Sequence, residues 1–202
     1  MPGILVTGFA PFKGRTVNAS WMTASAIART GLADALELPV VWGAPSRILN
    51  EYCRNQCPDT IVGLGEGNVQ GFKIETVARN TRGKMLDNSN QYPGVQLIEH
   101  SGPETYTTEF DVDLLHRNLL LGNFPVQISS DAGQFLCEET LYTLESLRHI
   151  HEQLQHVVFI HVPPFGTTLT GTGQSASDTS FYEAFGQYLI NKVKEMLHSS
   201  AA

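Results

Sequence analysis

The stretch "LELPVVWGAPSRILNEYCRNQCPDTIVGLG" (Leu36–Gly65) shows the order of elements that decides the fold. It predicts a strand over Leu36–Gly43, a helix over Ser46–Cys57 and a second strand over Asp59–Gly65, because short apolar runs closed by glycine are typical of buried strands. A helix between two such strands is the pattern of a crossover connection, which places the strands parallel in one sheet. The pattern therefore indicates an α/β fold.

The same order continues on both sides of this stretch. Upstream, "GILVTGF" (Gly3–Phe9) predicts a strand, and a loop leads to a helix that begins at Asn18 or Ser20. Downstream, the patterns predict strands over "FPVQISS" and His156–Pro163, and helices over 111–122, 134–150 and 180–197. Because no repeat or linker interrupts the chain, its 202 residues predict a single domain over 1–202 with a largely parallel sheet.

The middle of the chain follows a different pattern. "FKIETVARN" (Phe72–Asn80) alternates apolar and polar residues, which predicts an exposed or edge strand. Thr81–Pro103 is a long polar connection, and connections of this length are often functional.

Composition limits the kinds of partner. The net charge is -7 and the 13 Lys and Arg residues are scattered, so a nucleic-acid partner is not expected. No apolar run approaches the ~18 residues of a membrane span, and "MPGILVTGFAPF" lacks the pattern of a secretory signal. These features predict a cytoplasmic protein without membrane contact. Cys53 and Cys57 could form a metal or redox pair, but their i,i+4 spacing is better explained by helix packing, and no metal site is predicted.

Cys137 lies just inside the N-terminus of the helix predicted over 134–150. Unpaired N–H groups and the positive end of the helix dipole favour the thiolate form of a cysteine at that place, and they can hold an oxyanion. Cysteine is also among the residues most often buried in protein cores. From this stretch alone, Cys137 is either a nucleophile or a packing residue.

His161 lies near the carboxyl end of a predicted strand, where ligands gather in open α/β sheets. It could act as a general base or be an ordinary core histidine. A cysteine–histidine pair normally needs a third group that orients the imidazole. Glu75 is the candidate, although a solvated strand residue would show the same pattern. "GLGEG" after a strand raises a nucleotide-handling alternative, but it lacks the full glycine spacing and a following Lys-Ser/Thr pair.

Four blocks, "ILVTGFAPFKGRTVNASW", "IETVARN", "DAGQFLCEETLY" and "FIHVPPF", resemble in order the signature blocks of the pyroglutamyl peptidase I family, the pyrrolidone-carboxylate peptidases. They span Ile4–Phe165, and "SGPETY" is a weaker fifth match. The resemblance implies a three-layer α/β/α sandwich around a mixed, mostly parallel sheet, of the phosphorylase/hydrolase-like kind. It implies a cytosolic cysteine peptidase that removes N-terminal pyroglutamate from peptides with a triad of Glu75, Cys137 and His161. It implies no cofactor and a possible homo-dimer or homo-tetramer.

The resemblance also implies the residues that bind the substrate. A pyroglutamyl group is a flat, neutral lactam, so its site should be apolar with a few groups that pair with an amide. Each aromatic among these residues could equally be core. The residues so implied are Phe9, Phe12, Asn18, Phe135, Leu136 and, at the place of a family arginine, Lys84.

The chain departs from the family pattern at three places. Glu138 follows the cysteine where the family usually has Asn, Lys84 stands at the place of an Arg, and the glycine loop around Gly65 and Glu66 is one residue shorter. A carboxylate beside a thiolate opposes its ionisation unless it points away. The leading hypothesis is an active peptidase. The alternative is a weak or inactive homologue that binds pyroglutamyl or related lactam ligands.

Overall fold

The structure, a computed structural model, describes residues 3–200; Met1, Pro2, Ala201 and Ala202, which the predicted domain over 1–202 includes, lie outside the described residues. The strands are β1 (Ile4–Phe9), β2 (Asp34–Leu38), β3 (Thr60–Glu66), β4 (Phe72–Glu75), β5 (Val77–Arg79), β6 (Thr105–Thr107), β7 (Val126–Ser129), β8 (His156–Val162), β9 (Thr167–Thr168) and β10 (Ser175–Ala176). The helices are α1 (Ala19–Arg29), α2 (Ala44–Gln56), α3 (Val112–Leu121), α4 (Leu136–Ile150) and α5 (Thr179–Ser200).

The main sheet has six strands in the order β2-β1-β3-β8-β4-β7. Strands β2, β1, β3 and β8 are mutually parallel, β4 runs antiparallel to β8, and β7 is parallel to β4. The sheet is therefore mixed and mostly parallel, as expected. Two short ladders, β5 with β6 and β9 with β10, lie outside it.

Helices cover both faces of the sheet and give three layers. One face packs against α1, α3 and α5, and the other packs against α2 and α4. Along β8, Val158, Ile160 and Val162 belong to the core on the α1/α5 side. Val157 and Phe159 belong to the core on the α4 side. Because side chains alternate along a strand, His161 lies on the α4 face.

The ends of several elements follow local rules. Asn18, rather than Ser20, caps α1: its side chain accepts a hydrogen bond from the Ser20 N–H. Asp111 caps α3 in the same way. β2 covers Asp34–Leu38, so the prediction of a strand over Leu36–Gly43 is wrong in its second half, because Pro39 has no N–H to continue the ladder.

The prediction of an exposed or edge strand over Phe72–Asn80 is also wrong in its first half, although β5 is an edge strand of its two-stranded ladder. β4 lies between β8 and β7, with Phe72, Ile74 and Glu75 fully buried. The chain then leaves the sheet at Thr76, whose N–H and hydroxyl both donate to the Ser129 carbonyl, and β5 pairs with β6 instead. Lys73 and Glu75, which alternate with Phe72 and Ile74, therefore face the α4 side of the sheet rather than solvent.

Candidate active site

Cys137 occupies the second position of α4, whose N-cap residue is Phe135. The prediction of a cysteine just inside a helix N-terminus is therefore confirmed. The N–H groups of this first turn have no carbonyl partner within the helix, so they are free to face an anion near the sulfur.

Two glycines of β3 make room for side chains of α4 and β8. A Cβ atom at Gly63 would lie 2.5 Å from Cδ2 of Phe159 and 3.1 Å from Cδ1 of Leu144. A Cβ atom at Gly65 would lie 2.7 Å from Sγ of Cys137. The "GLG" of "GLGEG" therefore lies within a strand and admits the thiol. This placement removes the reason for the nucleotide-handling alternative.

His161 lies between Cys137 and Glu75. Its Nδ1 atom is 2.8 Å from Oε1 of Glu75, and its ring meets the Cys137 sulfur beside Gly65. Glu75 reaches it from the neighbouring antiparallel strand, where Lys73 is opposite His161 in the register. An Nδ1–H that donates to Glu75 leaves Nε2 for the sulfur. The three predicted triad residues, Glu75, Cys137 and His161, therefore lie together in the fold.

The surroundings of His161 favour its charged form. Burial lowers the pKa of this imidazole, but the charge and hydrogen bond of Cys137, together with those of Glu75, outweigh burial and raise the pKa above its ordinary value. The Oε2 atom of Glu75 is buried and has no hydrogen-bond partner among residues 3–200. An imidazolium held between a sulfur and a carboxylate is the arrangement used for nucleophilic catalysis.

A small apolar cavity of about 80 Å³ opens on one side of Cys137. Phe135 forms much of its wall: its ring centroid is 5.1 Å from that of Phe12 and 5.0 Å from that of Trp42. This apolar cavity can take one small ring-sized group beside the thiol. The residues that line it are Phe9, Phe12, Asn18, Val40, Glu66, Phe135, Leu136 and Cys137.

A second cavity on the other side of the sulfur is more polar. It shares Cys137, Phe135 and Glu66 with the apolar cavity, and it also reaches both His161 and Glu75. Its remaining lining residues are Gly67, Asn68, Lys73, Asp131, Ala132 and Gly133. The thiol thus stands at the junction of an apolar cavity and a polar one.

Asn18 lines the apolar cavity, but its polar atoms already have partners. Its Nδ2 donates to the Ala10 carbonyl at 3.1 Å, and its Oδ1 accepts from the N–H and hydroxyl of Ser20. The side chain fixes the loop before α1 at the edge of the cavity.

Glu66 is the charged group of the apolar cavity wall. Its carboxylate is bound by the Arg15 guanidinium and by the Ala19 N–H, 2.9 Å away. Glu66 therefore ties the end of β3 to the start of α1, on the edge that both cavities share.

Lys84 lies apart from the other predicted site residues: it is exposed and lines neither cavity. The basic residue that reaches α4 from the same loop is Arg82, whose Nε donates to Oε2 of Glu139 at 2.5 Å. The N–H of Gly83 also donates to the Gln134 carbonyl at 2.6 Å. These bonds hold the connection between residues 81 and 103 against the helix that carries Cys137.

Glu138, the residue after the cysteine, is fully buried. Its Oε1 accepts a hydrogen bond from the Arg79 N–H at 2.6 Å. Burial raises the pKa of Glu138 to about 7, with further upward contributions from Asp131 and Glu75, against which the Arg79 N–H and guanidinium act. The side chain therefore points away from solvent and holds its proton more tightly than an exposed glutamate.

Several residues of this site are not among those predicted from the sequence. Lys73 lies two residues before Glu75 on the same face of β4, so strand periodicity could have found it. Trp42 and Arg15 reach the site from loops that are distant from Cys137 in sequence, and Asp131 lies in the loop directly before α4; no local pattern indicates their place in the site.

The other cysteines lie elsewhere. Burial, followed by the influence of Cys57, raises the pKa of Cys53 to about 12, and burial also raises the pKa of Cys57. Within residues 3–200, no group of three or more His, Cys, Asp or Glu side chains could hold a metal ion. In the same part of the chain, no helix has the length and apolar character needed to cross a membrane.

Comparison with known proteins gives consistent matches. A family model described as pyroglutamyl peptidase matches residues 3–180. Human pyroglutamyl-peptidase 1 is 34% identical over 171 residues, which are 81% of this chain and 79% of the human protein. The crystal structure of pyroglutamyl peptidase I from Bacillus amyloliquefaciens has a TM-score of 0.78 at 28% identity and covers 96% of this chain and 94% of its own.

A further solved structure supports the fold alone. Pyrrolidone carboxyl peptidase from Thermococcus litoralis has a TM-score of 0.82 at 24% identity, and the match covers 100% of this chain and 97% of that one. The mixed sheet between two helical layers is thus shared along the whole chain.

Proposed function

The chain belongs to the pyroglutamyl peptidase family, and from this premise we propose that it hydrolyses the amide bond after an N-terminal pyroglutamyl residue and releases 5-oxoproline. The observation that carries the proposal is the contact of Cys137 with His161, whose Nδ1 is 2.8 Å from Glu75. This contact lies directly beside an apolar cavity of ring size.

The two cavities suggest how a substrate lies. The neutral lactam ring occupies the apolar cavity between Phe12 and Phe135. A charged N-terminal ammonium would lose its hydration there, because the one carboxylate in the wall, that of Glu66, is already bound by Arg15. The rest of the peptide follows the polar cavity past Asp131 and Lys73. The carbonyl that joins the two parts then lies over Cys137.

The first half of the reaction is acyl transfer to sulfur. The Cys137 thiolate attacks the carbonyl carbon, and the N–H groups at the start of α4 stabilise the oxyanion, an interaction whose loss typically costs about 3 kcal/mol. The imidazolium of His161 then gives its proton to the leaving amine as the carbon–nitrogen bond breaks. Glu75 stabilises that imidazolium and fixes its orientation.

The second half regenerates the enzyme. Water attacks the thioester while neutral His161 takes one of its protons, and the carbon–sulfur bond breaks to leave a thiolate and 5-oxoproline. The proposed chemistry needs neither a metal nor an organic cofactor. The cytoplasmic location and the homo-oligomer predicted from sequence stay predictions.

The test is release of a chromophore from a pyroglutamyl arylamide. We expect turnover by the wild type, no detectable turnover by Cys137→Ser, and turnover within about twofold of wild type by Cys57→Ser, which makes the same change away from the site. A prolyl arylamide should not be hydrolysed, because its ring nitrogen is charged.

Two results would contradict these assignments, and the first of them would support the binding alternative. A folded wild type that hydrolyses nothing, yet binds 5-oxoproline in calorimetry, would contradict the peptidase proposal. Undiminished turnover by Cys137→Ser would contradict the assignment of the nucleophile.

A further inference from the structure

Glu138 is the buried group nearest the nucleophile that the proposed mechanism does not use. One oxygen, Oε1, accepts the Arg79 N–H at 2.6 Å. The other, Oε2, is buried, has no hydrogen-bond partner among residues 3–200, and is 4.0 Å from Nη1 of Arg79. Only one of the two carboxyl oxygens therefore has a hydrogen-bond partner, so the effect of Glu138 on its surroundings depends on whether the group is protonated or ionised.

The Glu138–Arg79 bond joins two parts of the site. Glu138 is the next residue to Cys137 on α4, and Arg79 is on β5, four residues after Glu75. Because the chain bends at Thr76 between β4 and β5, the bond limits the movement of Glu75 relative to Cys137. This link is separate from the one that runs through His161.

Burial is the main reason that the ionised form of Glu138 is disfavoured. The charges that face it act in both directions: Arg79 on β5, with its guanidinium 4.0 Å away, favours the ionised form, whereas Asp131 in the loop before α4 and Glu75 on β4 oppose it. On its own helix, the neighbouring Glu139 already binds Arg82 and the Gly43 N–H. A buried carboxylate without a full set of partners costs more than a protonated carboxyl group in the same place, because the ion loses more hydration.

We propose that Glu138 is a positioning residue that works as an uncharged carboxylic acid, and that loss of its proton to solvent lowers the reactivity of Cys137. In the neutral state it holds α4 against β5 through the Arg79 N–H. In the ionised state it places a negative charge one residue from the thiolate, which opposes both the thiolate and the oxyanion that follows. This proposal rests on the proposed function only where turnover is measured, because the reactivity of Cys137 can also be measured by alkylation.

The test compares Glu138→Gln, which is permanently uncharged and similar in shape, with Glu138→Ala. Two rates are followed as functions of pH: alkylation of Cys137 by iodoacetamide, measured by mass spectrometry, and kcat/KM on the pyroglutamyl arylamide. Glu145→Gln is the matched control. It makes the same substitution at a buried glutamate two turns further along α4, where the carboxylate binds Arg148 at 2.9 Å.

We expect Glu138→Gln to match the wild type within about twofold near pH 5.5 and to exceed it by roughly fivefold near pH 8.5, in both rates. Glu138→Ala should be slower than Glu138→Gln by about tenfold at every pH, because the Arg79 N–H loses its acceptor. Glu145→Gln should follow the wild-type pH profile.

Superimposable profiles for the wild type and Glu138→Gln would overturn the proposal, as would equal rates for folded Glu138→Gln and Glu138→Ala. The alkylation readout separates this inference from the peptidase proposal. If no variant hydrolyses the arylamide but the alkylation profile of Glu138→Gln still shifts, the peptidase proposal fails and the role of Glu138 stands.

Discussion

Gly65 and Cys137 share one space: a Cβ atom at Gly65 would lie 2.7 Å from the Cys137 sulfur, well inside contact distance. The nucleophile is therefore positioned by the missing side chain of a neighbouring strand as well as by its own helix. His161 depends on the same gap, since its Cδ2 would lie 3.1 Å from that Cβ atom.

Gly65→Ala should lower kcat/KM by about 100-fold, because the added methyl group displaces both the sulfur and the imidazole and a misplacement near 1 Å costs about this much. Gly94→Ala is the matched control, since a Cβ there would point into open space as far as residues 3–200 are concerned. Steady-state kinetics on the arylamide check this. Equal activity for both variants would contradict it.

Glu75→Gln should lower kcat by roughly 10²- to 10⁴-fold with a folded protein, because an amide cannot stabilise the imidazolium of His161. The loss should appear in kcat rather than in KM, since Glu75 acts through His161. Steady-state kinetics and thermal unfolding together test this. A change confined to KM would show that Glu75 acts on substrate binding instead.

Glu138→Gln should stabilise the protein at neutral and alkaline pH. The pKa of Glu138 is raised from 4.5 to about 7, so between these values the folded state holds a proton that the unfolded state has lost. Wild-type stability therefore falls as pH rises through this window, and the full loss, about 3 kcal/mol, is present above pH 7. The variant lacks this loss.

Urea unfolding of both proteins near pH 4.5 and near pH 8 checks the pH dependence. The difference in unfolding free energy should be small at the lower pH and largest at the higher one. A difference that is the same at both values would mean that Glu138 does not change its charge in this range.

Iodoacetamide should modify Cys137 at least about tenfold faster than Cys53 near pH 7. Cys53 is buried with a pKa of about 12 and holds little thiolate, whereas Cys137 opens onto two cavities beside His161. Peptide mapping of partly modified protein measures both rates. Faster modification of Cys53 in the native protein would contradict the assignment.

Phe12→Ala should raise KM by about tenfold with a smaller effect on kcat, because Phe12 packs on Phe135 at the wall of the apolar cavity. Leu121→Ala, at a side chain that is 80% exposed, should change neither constant. If Phe12→Ala lowered kcat alone, the cavity would not be the ring site.

Part of the site could be predicted because its positions follow local rules. His161 lies on the α4 face through simple alternation along β8, and Cys137 lies at the start of a helix whose leucine spacing is clear in the sequence. Glu75 needed the family resemblance, since its strand pattern alone fits a solvated residue equally well.

The rest depends on contacts that are distant in sequence. The alternation of Lys73 and Glu75 with apolar neighbours indicated a solvent-facing edge, but an interior strand beside a catalytic cavity gives the same pattern. The antiparallel insertion of β4 between β8 and β7 follows from strand order, which no local pattern contains. Glu66 and Arg15 are 51 positions apart in the chain, and no sequence pattern indicates that they pair.

One turn of α4 has a consequence for how the protein folds. Its consecutive residues Cys137, Glu138 and Glu139 bind His161, Arg79 and Arg82, and Glu139 also reaches Gly43 across 96 positions. Such long loops close late, after local helices have formed. Recovery of hydrolytic activity should therefore coincide with the last kinetic phase of refolding. The rate at which turnover appears would then report the rate at which the native state is completed.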